Sequence, residues 1–198
     1  KDINFLRKGI NLFLYKIDKE KKSFRNISFK KVRNQDWLNN NKNILKPLLI
    51  NNYFIYDDEY HSFKHRPLIP VKIKASYAFG SGYHETTKNC IKAISFIVKR
   101  KKINNLIDYG AGTGILGICF QKKIHSSSTI FIDNDESALK LTKFNLRKNN
   151  LRNQGNVFLT SKGRNKYYKK QNYDVVLANI LFKPLKILVK DFNYILKK

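Results

Sequence analysis

From Val71 onward, short apolar runs alternate with segments whose apolar residues recur every three or four positions. The runs around Ile103, Leu106 and Ile107, from Thr129 to Ile132, from Val157 to Leu159 and from Tyr173 to Ile180 predict strands. The segments Thr86 to Val98, ILGICFQKK ending near Lys123, Glu136 to Asn149 and Phe182 to Lys198 predict helices. Apolar faces are expected at Cys90, Ile91, Ile94 and Ile97 or Val98 in the first helix, and at Ala138, Leu141, Phe144 or Asn145, and Leu146 in the third. Strands alternating with helices predict an α/β fold with a doubly wound, mainly parallel sheet. VKIKASYAF reads as extended, and GSGYHETT as a second glycine-containing turn.

Upstream the pattern differs. Residues 1–33 alternate apolar and charged positions in two pieces, Ile10 to Ile17 and Ile27 to Val32, across the charged turn DKEKKS, which predicts a small antiparallel hairpin. Residues 34–70 read as a joining segment. It contains Trp37, a packing anchor, then Pro47, an aromatic strand at Tyr53 to Tyr56, and the turn-like HSFKHRPLIP. No internal repeat is visible. The helix ending in Lys197-Lys198 has no strand after it, which would leave an apolar sheet edge open. With no methionine in the chain, the expectation is a fragment cut at both ends.

The stretch INNLIDYGAGTGILG, Ile103 to Gly117, joins a strand to a helix through glycines at 110, 112 and 114. Such a turn lets a ligand approach the backbone, and the helix N-terminus beyond it offers unpaired N–H groups. A polar, nucleotide-like ligand is expected. Gly112-Thr-Gly114-Ile-Leu-Gly117 also satisfies the dinucleotide pattern G-x-G-x-x-G, with Asp133 close to the expected distance downstream, so two ligand classes fit these residues. Ligands of doubly wound sheets bind beyond the carboxyl ends of the strands. Asp108 with Gly110, Asp133 and Asn179 stand at such ends. A carboxylate at Asp133 suits both hydroxyls of a ribose. Asn179 ends an apolar strand, where its amide needs partners. It is either a structural cap or the group that holds a neutral amine for methyl transfer, a reaction needing orientation and desolvation rather than a strong base.

The chain has a net charge of +26, 42% hydrophobic residues and 13% aromatic ones, a composition that fits a globular protein. The lysines are scattered, with short clusters, and read as compositional drift on solvated faces, with proximity to the ribosome or RNA as the functional alternative. Cys90 and Cys119 sit in apolar helical patterns without CxxC or histidine spacing, which predicts reduced thiols and neither a disulfide nor a metal site. No run of about 18 apolar residues is present, so no membrane span is expected.

Four collinear motifs, FGSGYHETT, IDYGAGTGILG, FIDND and DVVLANIL, together resemble the PrmA family, bacterial methyltransferases that modify the basic stalk-base protein of the large ribosomal subunit. Ala78 to Thr87 keeps the frame of the family's AFGTGTHPTT. The resemblance extends over about residues 30 to 198, including Asp36-Trp37 and Pro47. Tyr83 stands in place of a threonine, Glu85 of a proline, and Asn41 of a second tryptophan. The resemblance implies a Rossmann-like class I methyltransferase sheet over residues 71–198, incomplete at its C-terminus. It also implies that residues 1–33 are the remnant of a small N-terminal α+β substrate-recognition domain.

The implied cofactor is S-adenosyl-L-methionine, bound by Thr87, Asp108, Gly110, Gly112, Gly114, Asp133, Asn179 and Phe79. Asn179 and His84 are the implied catalytic candidates, His84 as a positioning group or as a base. The implied activity is methylation of lysine and N-terminal amines by a cytoplasmic monomer. Another class I methyltransferase acting on a different protein or RNA, or a dinucleotide-dependent oxidoreductase, are the alternative readings.

Overall fold

The computed structural model describes residues 47–57, 67–74, 82–125, 128–151, 155–160 and 172–197. The hairpin expected in residues 1–33, Trp37, Phe79 and the basic loop 162–171 lie outside the described residues. So do most of the tract 61–70 and of the extended segment 71–79 beyond Lys74.

The elements in chain order are β1 (Leu48–Ile50), β2 (Tyr53–Tyr56), β3 (Ile69–Lys72), α1 (Glu85–Ile97), β4 (Asn105–Tyr109), α2 (Ile115–Lys123), β5 (Ser128–Asp133), α3 (Glu136–Lys148), β6 (Gly155–Leu159), β7 (Val175–Leu177) and α4 (Phe182–Ile195). The larger sheet runs β6-β5-β4-β7. All its pairings are parallel, with Asp108 opposite Phe131 on one side and Leu177 on the other. Strand β4 therefore occupies the middle, and Leu106 and Ile107, which point to opposite faces, are both fully buried. That is why its two central residues, Leu106 and Ile107, are both apolar rather than alternating with polar ones.

One face packs Leu106 and Phe131 against Ile91 of α1 and Ile118 and Phe120 of α2; the other packs Ile107 and Ile132 against Phe192 and Ile195 of α4. The rest of α4 leaves Phe182 75% and Ile187 77% exposed. Among the described residues no helix is long and apolar enough to cross a membrane.

A smaller sheet, β1-β2-β3, pairs β1 with β2 antiparallel and β2 with β3 parallel. Its Tyr53 and Val71 join the same core as α1 and α2. The described residues of the expected joining segment, 47–57 and 67–70, thus belong to the same compact unit as the larger sheet.

Two local readings shift. The fourth strand of the large sheet spans only Val175–Leu177, not Tyr173 to Ile180. Tyr173 bridges instead to Leu196, and the Asp174 carboxylate takes the backbone N–H groups of Asn104 and Asn105, each at 2.8 Å. Helix α3 is also rotated relative to its expected apolar face. Leu139, Thr142, Asn145, Leu146 and the capping Asn149 are buried, while Ala138, Leu141 and Phe144 are half-buried.

Candidate functional site

The turn after β4 reverses the chain within a few residues. Gly110 has φ 70°, and its N–H and that of Ala111 both donate to the carbonyl of Ile132, at 2.7 and 3.0 Å. A Cβ at Gly110 would lie 2.3 Å from Ile180 Cγ2, so the loop packs against the segment that carries Asn179. Gly112 donates its N–H to Asp133 Oδ2 at 2.8 Å, and Gly114, at φ 78°, caps α2. Gly117 lies inside α2. A Cβ there would meet the Phe131 ring at 2.3 Å, so this glycine serves close packing of helix on sheet.

Two carboxylates back the loop. Asp133, the last residue of β5, is only 8% exposed and uses its second oxygen to accept the N–H of Asp135 at 3.0 Å. Asp108 lies within β4, fully enclosed, and accepts the N–H of Gly117 at 2.9 Å. Burial pushes its carboxyl up to about 7; the Gly117 N–H offsets part of this and the neighbouring Asp133 charge adds to it. Cys119 is buried and Cys90 half-buried; both thiols are free and held above the ordinary range by burial and by the Asp108 charge.

The third wall comes from α1 and the segment after β7. Thr87, 2% exposed in the first turn of α1, accepts a 2.9 Å hydrogen bond from the amide of Asn179, which lies two residues past β7 and is half-buried. The bond joins residues 92 positions apart and engages only the N–H end of the amide, so the carbonyl end stays an acceptor. His84 is exposed and caps α1. Its Nδ1 accepts the N–H of Thr86 at 3.3 Å and lies 2.7 Å from the Thr86 hydroxyl.

The structure thus brings Asp108, Gly110, Gly112, Gly114 and Asp133 into one loop and its backing, sets Thr87 against Asn179, and places His84 at the helix start beside Thr87. Among the described residues, no group of three His, Cys, Asp or Glu could hold a metal ion.

Two polar residues of α3 also reach this region and were not expected in it, and the capping Asn149 lies in line with them. Thr142 donates to the carbonyl of Gly112 at 2.9 Å and Asn145 to that of Thr113 at 2.8 Å. Asn149 does not touch the loop; it pairs with the backbone of Lys72. The sequence signal was a set of small polar residues at i, i+3 and i+7 in line with the helix face that Leu139 and Leu146 bury.

The chain matches the profile of the family described as "Ribosomal protein L11 methyltransferase (PrmA)" over residues 6–198. It is similar to the ribosomal protein L11 methyltransferase of Campylobacter jejuni (31% identical, covering 87% of this chain and 57% of the relative). It is also similar to that of Caulobacter sp. strain K31 (30% identical, 80% and 54%). The chain spans about half the length of these curated relatives. Among solved structures, a ribosomal protein L11 methylase from Lactobacillus delbrueckii subsp. bulgaricus shares the fold, with a TM-score of 0.63 at 20% identity over 76% of this chain and 75% of that one. With the motifs falling on the loop, strand ends and helix start described above, the chain belongs to the ribosomal protein L11 methyltransferase (PrmA) family.

Proposed function

We propose that this protein binds S-adenosylmethionine at the glycine loop and transfers methyl groups to lysine side-chain and N-terminal amines of ribosomal protein L11, the stalk-base protein of the large subunit. The observation that carries this reading is the Asn179–Thr87 hydrogen bond, which sets an amide carbonyl beside the loop as a fixed acceptor. A hydride-transferring enzyme has no call for such a group, and G-x-G-x-x-G alone does not account for it.

The residues present suit the cofactor. Asp133 offers carboxylate oxygens for the ribose hydroxyls. Gly110, Gly112 and Gly114 keep side chains out of the loop, Asp108 braces it through Gly117, and Thr87 and Asn179 bound it on the far side. Phe79, outside the described residues, completes the set. When bound, the cofactor supplies a methyl group activated by a sulfonium. The protein's part is to accept an N–H of the incoming amine at the Asn179 carbonyl, to orient its lone pair, and to keep the pocket dry so that a lysine arrives neutral. His84 positions the start of α1 as its cap.

Residues 1–33 are assigned to substrate recognition, 34–70 to joining and 71–198 to catalysis. The enzyme works as a cytoplasmic monomer without a membrane partner. At a net charge of +26, ribosomal RNA mediates its approach to a basic substrate.

Calorimetric titration tests the cofactor: S-adenosylhomocysteine should bind and NADH should not, and the reverse result removes the proposal. Mass spectrometry of ribosomal proteins from cells with and without the gene tests the substrate. An unchanged mass for ribosomal protein L11 would sink that assignment.

A further inference from the structure

Among the described residues strand β3 is an edge strand, and its outer edge is closed by one side chain of α3 and one of its C-cap in place of another strand. Ile69 and Ile73 donate their N–H groups to the carbonyls of Asn52 and Tyr56, so the alternate positions 70, 72 and 74 face outward. Pro70 has no N–H to offer there. The outward groups of Lys72 pair with Asn149: the Lys72 N–H donates to Oδ1 at 3.0 Å and Asn149 Nδ2 donates to the Lys72 carbonyl at 2.7 Å. Those of Lys74 pair in the same way with Asn145, at 2.9 and 3.3 Å.

The match is geometric. Positions i and i+2 of a strand are about 6.6 Å apart, and positions i and i+4 of a helix rise about 6 Å. A helix with asparagines four apart therefore presents two amides at nearly the repeat of a strand edge. Asn145 has a second duty. Its other amide hydrogen goes to the Thr113 carbonyl of the glycine loop at 2.8 Å, whereas the other hydrogen of Asn149 goes to the Asn145 carbonyl, inside the helix. Asn145 is fully buried with both donors in use.

We propose that Asn145 is a positioning residue: one amide ties the backbone of Lys74, just past β3, to the glycine loop at Thr113, and so holds the loop in shape for the cofactor. This rests on the S-adenosylmethionine reading above. Asn149 is the built-in comparison, because it makes the same strand pairing without touching the loop.

The test uses the full chain, titrated with S-adenosylhomocysteine well below its melting temperature, alongside thermal melts. Asn145→Ala and Asn149→Ala should lower the melting temperature by similar amounts, while only Asn145→Ala weakens binding, by about ten-fold or more. Equal weakening in both variants, or wild-type affinity in Asn145→Ala, overturns the proposal. Amide exchange on the unmutated chain asks the same question without a folding risk. The ligand should slow exchange at the Lys74 N–H, which ends on Asn145, more than at the Lys72 N–H, and equal protection overturns the proposal. Absence of any S-adenosylhomocysteine binding by the unmutated chain would instead count against the function, not the tie.

Discussion

Asn179 donates a 2.9 Å hydrogen bond to the hydroxyl of Thr87, linking the segment after β7 to the first turn of α1 across the mouth of the sheet. The bond aims the amide, and turnover should depend on that aim. Asn179→Ala is expected to lower kcat by about a hundred-fold or more while changing S-adenosylhomocysteine affinity by no more than about three-fold. Thr87→Val, which keeps shape but removes the acceptor, should show a smaller loss of the same kind. Turnover unchanged in Asn179→Ala would refute the role given to it.

Asp133 holds two backbone N–H groups, those of Gly112 and Asp135. Asp133→Ala should release the loop, lowering stability by about 1–3 kcal/mol and cofactor affinity more than ten-fold. Asp133→Asn keeps one acceptor oxygen and should fall between. Denaturant melts and titration on the same samples check both, and an Asp133→Ala protein that binds normally contradicts the ribose assignment.

Gly117 touches the Phe131 ring so closely that a methyl group has no room. Gly117→Ala should cost about 1–3 kcal/mol by overpacking, and Phe131→Leu in the same chain should recover part of that loss. A double-mutant cycle reads the coupling. Strictly additive effects would mean that the contact does not carry the penalty.

The pH dependence follows from Asp108. Its folded value of about 7 lies above that of an ordinary carboxyl, so the folded protein holds the proton more tightly than the unfolded chain. Stability from this group is therefore full below about pH 4 and declines as the pH rises through about 7. Asp108→Asn retains an acceptor for the Gly117 N–H and removes the titration. The melting temperature of the variant relative to wild type should climb between about pH 4 and pH 7 and level off above, corresponding to a few kcal/mol. A difference independent of pH would contradict the assignment.

His84 caps α1 through Nδ1. Asn is a strongly preferred N-cap, so His84→Asn should retain turnover within about three-fold, whereas His84→Ala should lose about 1 kcal/mol of stability. If His84→Asn instead abolishes turnover and removes a limb of the pH-rate profile, the histidine is a base.

The sheet was legible because its strands are short apolar runs bounded by glycine or acidic residues, as at Asp108 and Asp133, and because the helices between them carry apolar spacings. The loop glycines were legible for the same local reason. What the pattern concealed was burial of amides. In the helical spacing Asn145 stands only as the alternative to Phe144 on the inward face, with nothing to show what its amide would meet. Its partner is the backbone of Lys74, 71 residues earlier, and no helical periodicity records a strand edge passing there. The same applies to Asn179. Its type marked it as unusual, but its bond to Thr87, 92 residues away, is a product of the fold.

The glycine loop directs its donors inward. The N–H groups of Gly110 and Ala111 end on Ile132, that of Gly112 on Asp133, that of Gly114 on Ala111 and that of Gly117 on Asp108. A diphosphate approaching this turn would find those donors already engaged and two carboxyl groups behind them, one of them Asp133. A ligand with a positive centre meets the opposite field. The loop that could be mistaken for a dinucleotide fingerprint is thus a poor anion receptor, and its charge selectivity resides in which backbone hydrogens the protein has kept for itself.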